Sequence, residues 1–422
     1  MKFWKFFRIW PDQIQGETSL GCLNDMSLWS KIKNILKRIL PPGRAYFQQE
    51  FERSRKEIRE LADQEKKLQA RLDKQAKEIR QLKIFIDREL NRRDRWPMLE
   101  SETARLAGGR PVWVIKCPAP EGEGKVTWGD YPFAKALQKY LERLGVYVVL
   151  EFHEDWNCGT YADVVLVLRG THPYRPDRRR QDCLYIMWNI SHPEDISLEE
   201  YELYDVVCTA SRFYAGKLAQ ELTIPVYPLL QCTDTELFCP ADKDAASEGT
   251  SYAHQYLFVG NTRGTLRPCL DWALKHELPV DVIGKGWKKR YPEKEKHFIA
   301  LSVENDQLPD LYRSARVTLN DHWPDMLEHQ FINNRIFDAL SCGLPVISDR
   351  CRELEEIFPE AVLYYDDEES FLSCCSRIDQ EYDKIKAQVE AQRPLICREY
   401  SFEARARELL EIAESAVKRR ES

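Results

Sequence analysis

No stretch of the 422-residue chain approaches the roughly 20 apolar residues that a membrane-crossing helix needs; VVLVL at Val164–Leu168 is typical of its longer apolar runs. The opening residues also lack the short apolar core and small-residue cleavage site of a secretory leader, so a cytoplasmic protein is expected. The thirteen cysteines form no C-x-x-C pair, and their odd count in so long a chain argues for reduced, mostly buried thiols. There is no Walker sequence and no G-x-S-x-G elbow, which removes the main support for ATPase and hydrolase readings. GKGW from Gly284 offers a G-x-G without a third glycine, too little for a dinucleotide fingerprint. His322 and His329, seven apart beside Asp321 and Asp325, do not meet metal-ligand spacing, so no metal site is expected. An excess of positive charge is missing too: 62 Lys and Arg face 69 Asp and Glu, a net charge of -7, which speaks against a chain built to bind nucleic acid over its whole surface.

What the chain does contain is enough apolar material, 43% hydrophobic against 31% charged, for two or three folded domains. Charge is unevenly placed. Residues 1–44 carry eight basic and three acidic side chains, +5, leaving -12 on the remainder. KFWKFFRIW from Lys2 and SLWSKIKNILKRIL from Ser27 interleave bulky apolar residues with cations, the composition of a segment that lies against an anionic lipid surface. A helix docked on the protein is the alternative. Residues 45–97 then follow a heptad with Phe51, Ile58, Leu72, Ile79 and Ile86 at a and Leu61, Leu68 and Leu82 at d, so a coiled coil making a homo-oligomer is expected.

From about residue 108 short β-branched runs alternate with amphipathic helices in two series, Val112–Leu230 and Tyr256–Tyr365, separated by the polar link ADKDAASEGTS from Ala241. The pattern predicts an α/β protein with two Rossmann-like domains, 108–240 and 250–400, closed by a helix over 401–422. Ligands of such sheets bind beyond the carboxyl ends of the strands, which places the site between the two domains.

The most informative segment spans residues 312–350. A strand, VTLN, enters a polar loop; NNRIFDALSCG then forms a helix and PVISD the next strand. Asn333 and Asn334 stand at the start of that helix, where free backbone N–H groups favour an anion, and Arg335 adds a forked cation suited to phosphate oxygens. Asp338, one turn on, could accept hydrogen bonds from ribose hydroxyls.

Asp338-Ala339 followed by Cys342-Gly343 and Pro345-Val346-Ile347 resembles the donor-binding motif of the group 1 glycosyltransferases of GT-B fold, in particular the spore-maturation-type and O-antigen branch. CTDTELFCP from Cys232, FVGN at Phe258–Asn261 with Arg263 and Arg267 after it, LPDLYRSA from Leu308 and WGDYPFAKAL from Trp128 resemble other family segments in the expected order. The resemblance, over residues 108–400, implies transfer of a sugar from a nucleotide-sugar donor to an acceptor hydroxyl, with no cofactor, in the synthesis of a bacterial surface glycan on a glycan or lipid-linked acceptor. Its donor-binding candidates are Gly260, Asn261, Arg263, Arg267, Asp325, Glu328, Gln330, Asn333, Asn334, Arg335 and Asp338. The family's two glutamates eight apart correspond here to Gln330 and Asp338, with Glu328 as rival for the sugar-contacting role. On the acceptor side Gly129 and Tyr131 flank Asp130, a candidate base, with His192 and Glu194 as rivals. The alternative is a non-catalytic coiled-coil scaffold on a degenerate nucleotide- or glycan-binding body.

Overall fold

The computed structural model describes residues 102–421 apart from 123–124, 126–127, 157–160, 178–181, 242–251 and 265, together with nine positions between 53 and 75. The chain divides into two compact units, Met1–Asp87 and Arg88–Ser422. In the first, Arg53, Lys56, Leu61, Gln64, Lys67, Leu68, Arg71, Leu72 and Gln75 are helical and exposed. The basic segment 1–44, the remainder of the heptad segment 45–97 and the polar link beyond Ala241 lie outside the described residues.

The second unit holds two parallel six-stranded sheets. β1 (Val112–Lys116), β2 (Tyr147–Glu151), β3 (Val164–Arg169), β4 (Leu184–Asn189), β5 (Val206–Thr209) and β6 (Val226–Pro228) run in the order β2-β1-β3-β4-β5-β6. β1, β3 and β4 are buried along their whole length, because helices cover both faces of a parallel sheet and leave no polar side for alternation to mark. Helix α1 (Asp130–Arg143) buries Phe133, Ala134, Leu137, Tyr140 and Leu141, a single stripe at helical spacing. Helix α2 (Arg212–Glu221) starts at Ser211, whose hydroxyl accepts the Tyr214 N–H.

In the second sheet β7 (His254–Val259), β8 (Val280–Ile283), β9 (Phe298–Ala300), β10 (Ala315–Asn320), β11 (Val346–Asp349) and β12 (Val362–Tyr365) run β12-β11-β10-β7-β8-β9. β9 has no counterpart in the sequence-based series, since three residues carry no readable period. The helices longer than a single turn are α3 (Pro268–Lys275), α4 (Leu308–Ser314), α5 (Pro324–Glu328), α6 (Asn334–Ser341), α7 (Arg352–Ile357), α8 (Glu368–Glu399) and α9 (Phe402–Glu421). The last of these returns to the first domain. Phe402, Ala406, Leu409, Ile412, Ala413 and Ala416 pack with Phe133, Leu137 and Leu141 of α1 in one core, and Ser401 pairs with Thr233. The strand order reverses between β1 and β3 in one sheet and between β7 and β10 in the other, the two places where such folds open a crevice for ligands.

Candidate functional site

A cleft of about 780 Å³ runs between the domains, with Trp128, Gly129 and Tyr131 on one wall and Gly260, Asn334, Arg335 and Asp338 on the other. The second wall is built at the β7/β10 crevice. Gly260 follows β7, and a Cβ there would meet Arg335 Nη1 at 3.0 Å and Arg267 Nη1 at 3.2 Å, so a side chain would crowd the two guanidinium groups that glycine lets approach the backbone. Arg335 donates from Nη1 to the Val259 carbonyl at 2.8 Å, which fixes its head at the end of β7.

Three arginines share this corner with one buried carboxylate. Arg267 takes Asp321 with Nε (2.7 Å) and Nη2, while Arg263 Nη1 stands 3.7 Å from Asp321 and donates instead to the His322 carbonyl at 2.8 Å. Burial and the neighbouring Arg267 push Arg263 down to about 9, and the same two causes lower Arg335. The corner therefore carries more positive charge than it neutralises, the condition that favours an anion. Arg263 and Arg267 form its base beneath the cleft lining, and Arg335 reaches the lining itself.

Helix α6 begins at Asn333, which donates Nδ2 to Asn320 Oδ1 (3.0 Å) rather than capping its own helix; Asn320 in turn donates to Ser348 Oγ (2.9 Å). The Asn334 N–H goes to Gln231 Oε1 at 2.7 Å, and Gln231 donates to the Ile190 carbonyl, so the helix start is tied to the first domain. Asp338 accepts from Thr233 Oγ1 (2.6 Å) and from Asn334 Nδ2 (3.1 Å). Burial raises its pKa to about 8 against the lowering effects of Thr233 and Arg335, so the folded protein keeps it protonated at neutral pH. Gln231 and Thr233 escaped the sequence reading, although Thr233 lies in the CTDT segment; nothing in a linear pattern shows that its hydroxyl meets a carboxylate 105 residues away.

His192 projects from the first domain with φ 51 and ψ 57, a left-handed conformation that a non-glycine residue holds only when its surroundings compensate. Its Nδ1 is 3.5 Å from Asp325 Oδ2 of α5, and its ring meets Trp323 edge-on at 5.1 Å. Trp323 is in turn covered by the Arg263 guanidinium at 4.4 Å. The group thus spans both domains. Asp130, at the start of α1, is raised to about 6 by burial, with its own backbone N–H and the nearby His192 acting in the opposite direction.

Gln330 points elsewhere. It has φ 62, donates to the Leu327 carbonyl at 2.9 Å and accepts the Glu353 N–H at 3.1 Å, so it supports the start of α7 and does not line the cleft. Glu328 is close to His329 and to Glu194 of the opposite domain, all three offering ligand atoms within 4.8 Å of one another. They are the one group among the described residues with the spacing of a cation site, and two of the three are exposed.

Residues 263–411 match the model of the Glycosyl transferase-like family. A comparison with curated proteins found no match. Among solved structures, sucrose-phosphate synthase from Thermosynechococcus elongatus superposes with a TM-score of 0.56 at 12% identity, covering 73% of this chain and 100% of that one. The catalytic domain of starch synthase IV from Arabidopsis thaliana, bound to ADP and acarbose, gives 0.51 at 12% identity, covering 74% and 100%. Alr3699/HepE from Anabaena, in complex with UDP and glucose, gives 0.50 at 10% identity, covering 72% and 100%. At such identities these likenesses establish the two-domain fold, and the family match covers the segment that carries Arg335 and Asp338. Residues 263–411 thus form a glycosyl transferase-like domain, set in the fold of two facing Rossmann-like domains that the chain shares with those structures.

Proposed function

We propose that the protein transfers a sugar from a nucleotide-sugar donor to an acceptor hydroxyl at the cleft between its two domains. One observation carries this reading: Arg335 and Asp338, one turn apart on α6, both line the cleft opposite Gly129 and Tyr131, which flank Asp130 at the start of α1. The diphosphate takes the corner made by Gly260, the start of α6 and Arg335. The ribose lies against Asp338. The base extends toward Lys285 and Leu301–Val303, which line the same cleft. The sugar then reaches the His192–Asp325–Trp323 group. As the glycosidic bond breaks, the leaving diphosphate gains negative charge, which the arginine corner stabilises; Asp130, ionised above about pH 6, accepts the acceptor's proton. This assigns the charge compensation to arginine without a metal ion.

The acceptor belongs to a surface glycan or its lipid-linked precursor. Residues 1–44 hold the enzyme at an anionic membrane surface, and the heptad segment, whose Leu61, Leu68 and Leu72 are exposed in the single chain, pairs with a second copy. No helix among the described residues is long and apolar enough to cross a membrane. Release of free nucleotide from UDP-, GDP-, dTDP- and CMP-sugars, with and without candidate acceptors, tests the reading. Acceptor-dependent release is expected for one donor; tight nucleotide binding with no turnover would instead favour a non-catalytic scaffold.

A further inference from the structure

The paired register of β10 and β11 ends at Asn320 opposite Ser348. One residue further along β11, the Asp349 carboxylate takes the place of the ladder. One of its oxygens accepts the His322 N–H at 2.8 Å; the other meets His322 Nδ1 at 2.6 Å and accepts the Ser348 hydroxyl at 3.0 Å. Burial works to raise the Asp349 pKa, but attraction to His322 and these hydrogen bonds outweigh it and hold the carboxyl below its usual range. An ionised carboxylate can only accept, so Nδ1 of His322 carries the hydrogen. The ring is fully buried, and its Nε2 has no hydrogen-bond partner among the described residues. The protein thus engages His322 through one ring nitrogen and through its main chain.

That main chain holds Arg263. The His322 carbonyl accepts Arg263 Nη1 at 2.8 Å, the Asp321 carbonyl accepts Nη2 at 3.5 Å, and the guanidinium lies over the Trp323 ring, 4.4 Å from its centre. Among the described residues no carboxylate is hydrogen-bonded to Arg263, since Asp321 is engaged by Arg267. Two carbonyls at the end of β10 therefore set the place of a buried cation, and the cation covers an indole that also meets His192 of the first domain at 5.1 Å. Asp349, His322 and Arg263 do not line the cleft beside Arg335 and Asp338.

We propose that His322, clamped by Asp349, is a positioning residue for the sugar end of the donor site and acts through Arg263 on Trp323. The inference rests on the glycosyltransferase reading above and adds to it a residue that touches no substrate. Beyond the last ladder pair the chain runs through Trp323 directly into α5, whose Asp325 stands 3.5 Å from His192. Loss of the clamp frees the His322 carbonyl, lifts Arg263 from the indole and displaces Trp323 and Asp325 relative to His192. A misplacement of about 1 Å at a reacting centre costs on the order of a hundredfold in rate. The nucleotide contacts are spared, because Arg335 is held by the Val259 carbonyl and Asp338 by Thr233.

The test uses the full-length chain, reading affinity for UDP, GDP and ADP by calorimetry and nucleotide release from UDP-glucose, GDP-mannose and ADP-glucose with water or methyl glycosides as acceptors. His322 is varied rather than Asp349, whose partner Ser348 connects through Asn320 to Asn333 at the start of α6. His322→Ala should bind nucleotide within about twofold of the parent, which also reports that it is folded, and release it roughly 10–100-fold more slowly at saturating donor. His322→Asn, whose amide donates from the position of Nδ1, should recover most of that rate. Arg263→Lys should show the same split between affinity and rate, and adding His322→Ala to it should cost nothing more, because the two residues act in series. If His322→Ala binds no nucleotide, Arg263→Lys and His322→Asn decide. Parental rates in His322→Ala or Arg263→Lys, no recovery in His322→Asn, or losses that add in the double variant overturn the positioning role and leave the donor site standing. A parent that binds no nucleotide, or binds it and releases none, overturns the glycosyltransferase reading and the inference with it.

Discussion

Replacement of Arg335 by alanine separates a guanidinium placed for a ligand from one placed for the fold. Among the described residues Arg335 donates one hydrogen bond, to the Val259 carbonyl, and has no carboxylate as a hydrogen-bond partner, since Asp321 is held by Arg267. Removing it from the free protein costs that bond, about 1 kcal/mol, and relieves the burial of its charge and the repulsion from Arg267 that together lower the Arg335 pKa. The two effects oppose each other, so the unliganded variant should unfold within about 1 kcal/mol of the parent. Nucleotide binding loses charge-assisted hydrogen bonds worth about 1.5–3 kcal/mol, or roughly 10–150-fold in Kd. Arg335→Lys should recover part of this, because an ammonium supplies charge without the two-pronged geometry. Titration calorimetry with UDP, GDP and ADP, paired with urea unfolding of the free protein, reads both quantities. An Arg335→Ala protein that is folded and binds nucleotide as tightly as the parent would refute the placement of the diphosphate.

Three further outcomes follow from the same geometry. Asp338 holds its proton up to about pH 8, whereas the unfolded side chain releases it near 4, so between these values the native state binds more protons and stability falls as pH rises. Urea midpoints at pH 5 and 7.5 should show that decline, at most about 1.4 kcal/mol per pH unit from this group, and Asp338→Asn should flatten it; equal slopes would contradict the assignment. With Asp130 as the base, kcat/KM should rise about tenfold per pH unit below about 6 and level off above it, and Asp130→Asn should lose both this limb and about 100-fold or more in rate. A limb that survives in the variant belongs to another group. Finally, Glu353 of α7 reaches across to the start of α2, where its carboxylate accepts the Arg212 N–H at 2.9 Å and the Ser211 hydroxyl at 3.2 Å. Glu353→Ala should destabilise the protein by about 1–2 kcal/mol, read as a lowered urea midpoint, and an unchanged midpoint would mean that the interdomain contact contributes nothing.

The sequence by itself determined the two series of strands, because runs such as VWVI and VVLVL are apolar without interruption and a sheet covered on both faces accommodates them. It also determined the helix that carries Arg335 and Asp338, whose spacing places both on one wall. What it could not decide was which polar residues face the ligand. Arg263, Arg267 and Arg335 read alike in a string, yet Asp321 at the end of a neighbouring strand claims Arg267, and Arg263 turns to the His322 carbonyl. Gln330 sits at the spacing of a sugar contact, but its left-handed backbone swings it to the start of α7. Thr233 and Asp338, or His192 and Asp325, meet only because two sheets close on each other and α9 crosses back to lock them. Helical and strand periods are local and survive in sequence; partners more than a hundred residues apart are chosen by packing, and packing decided the site.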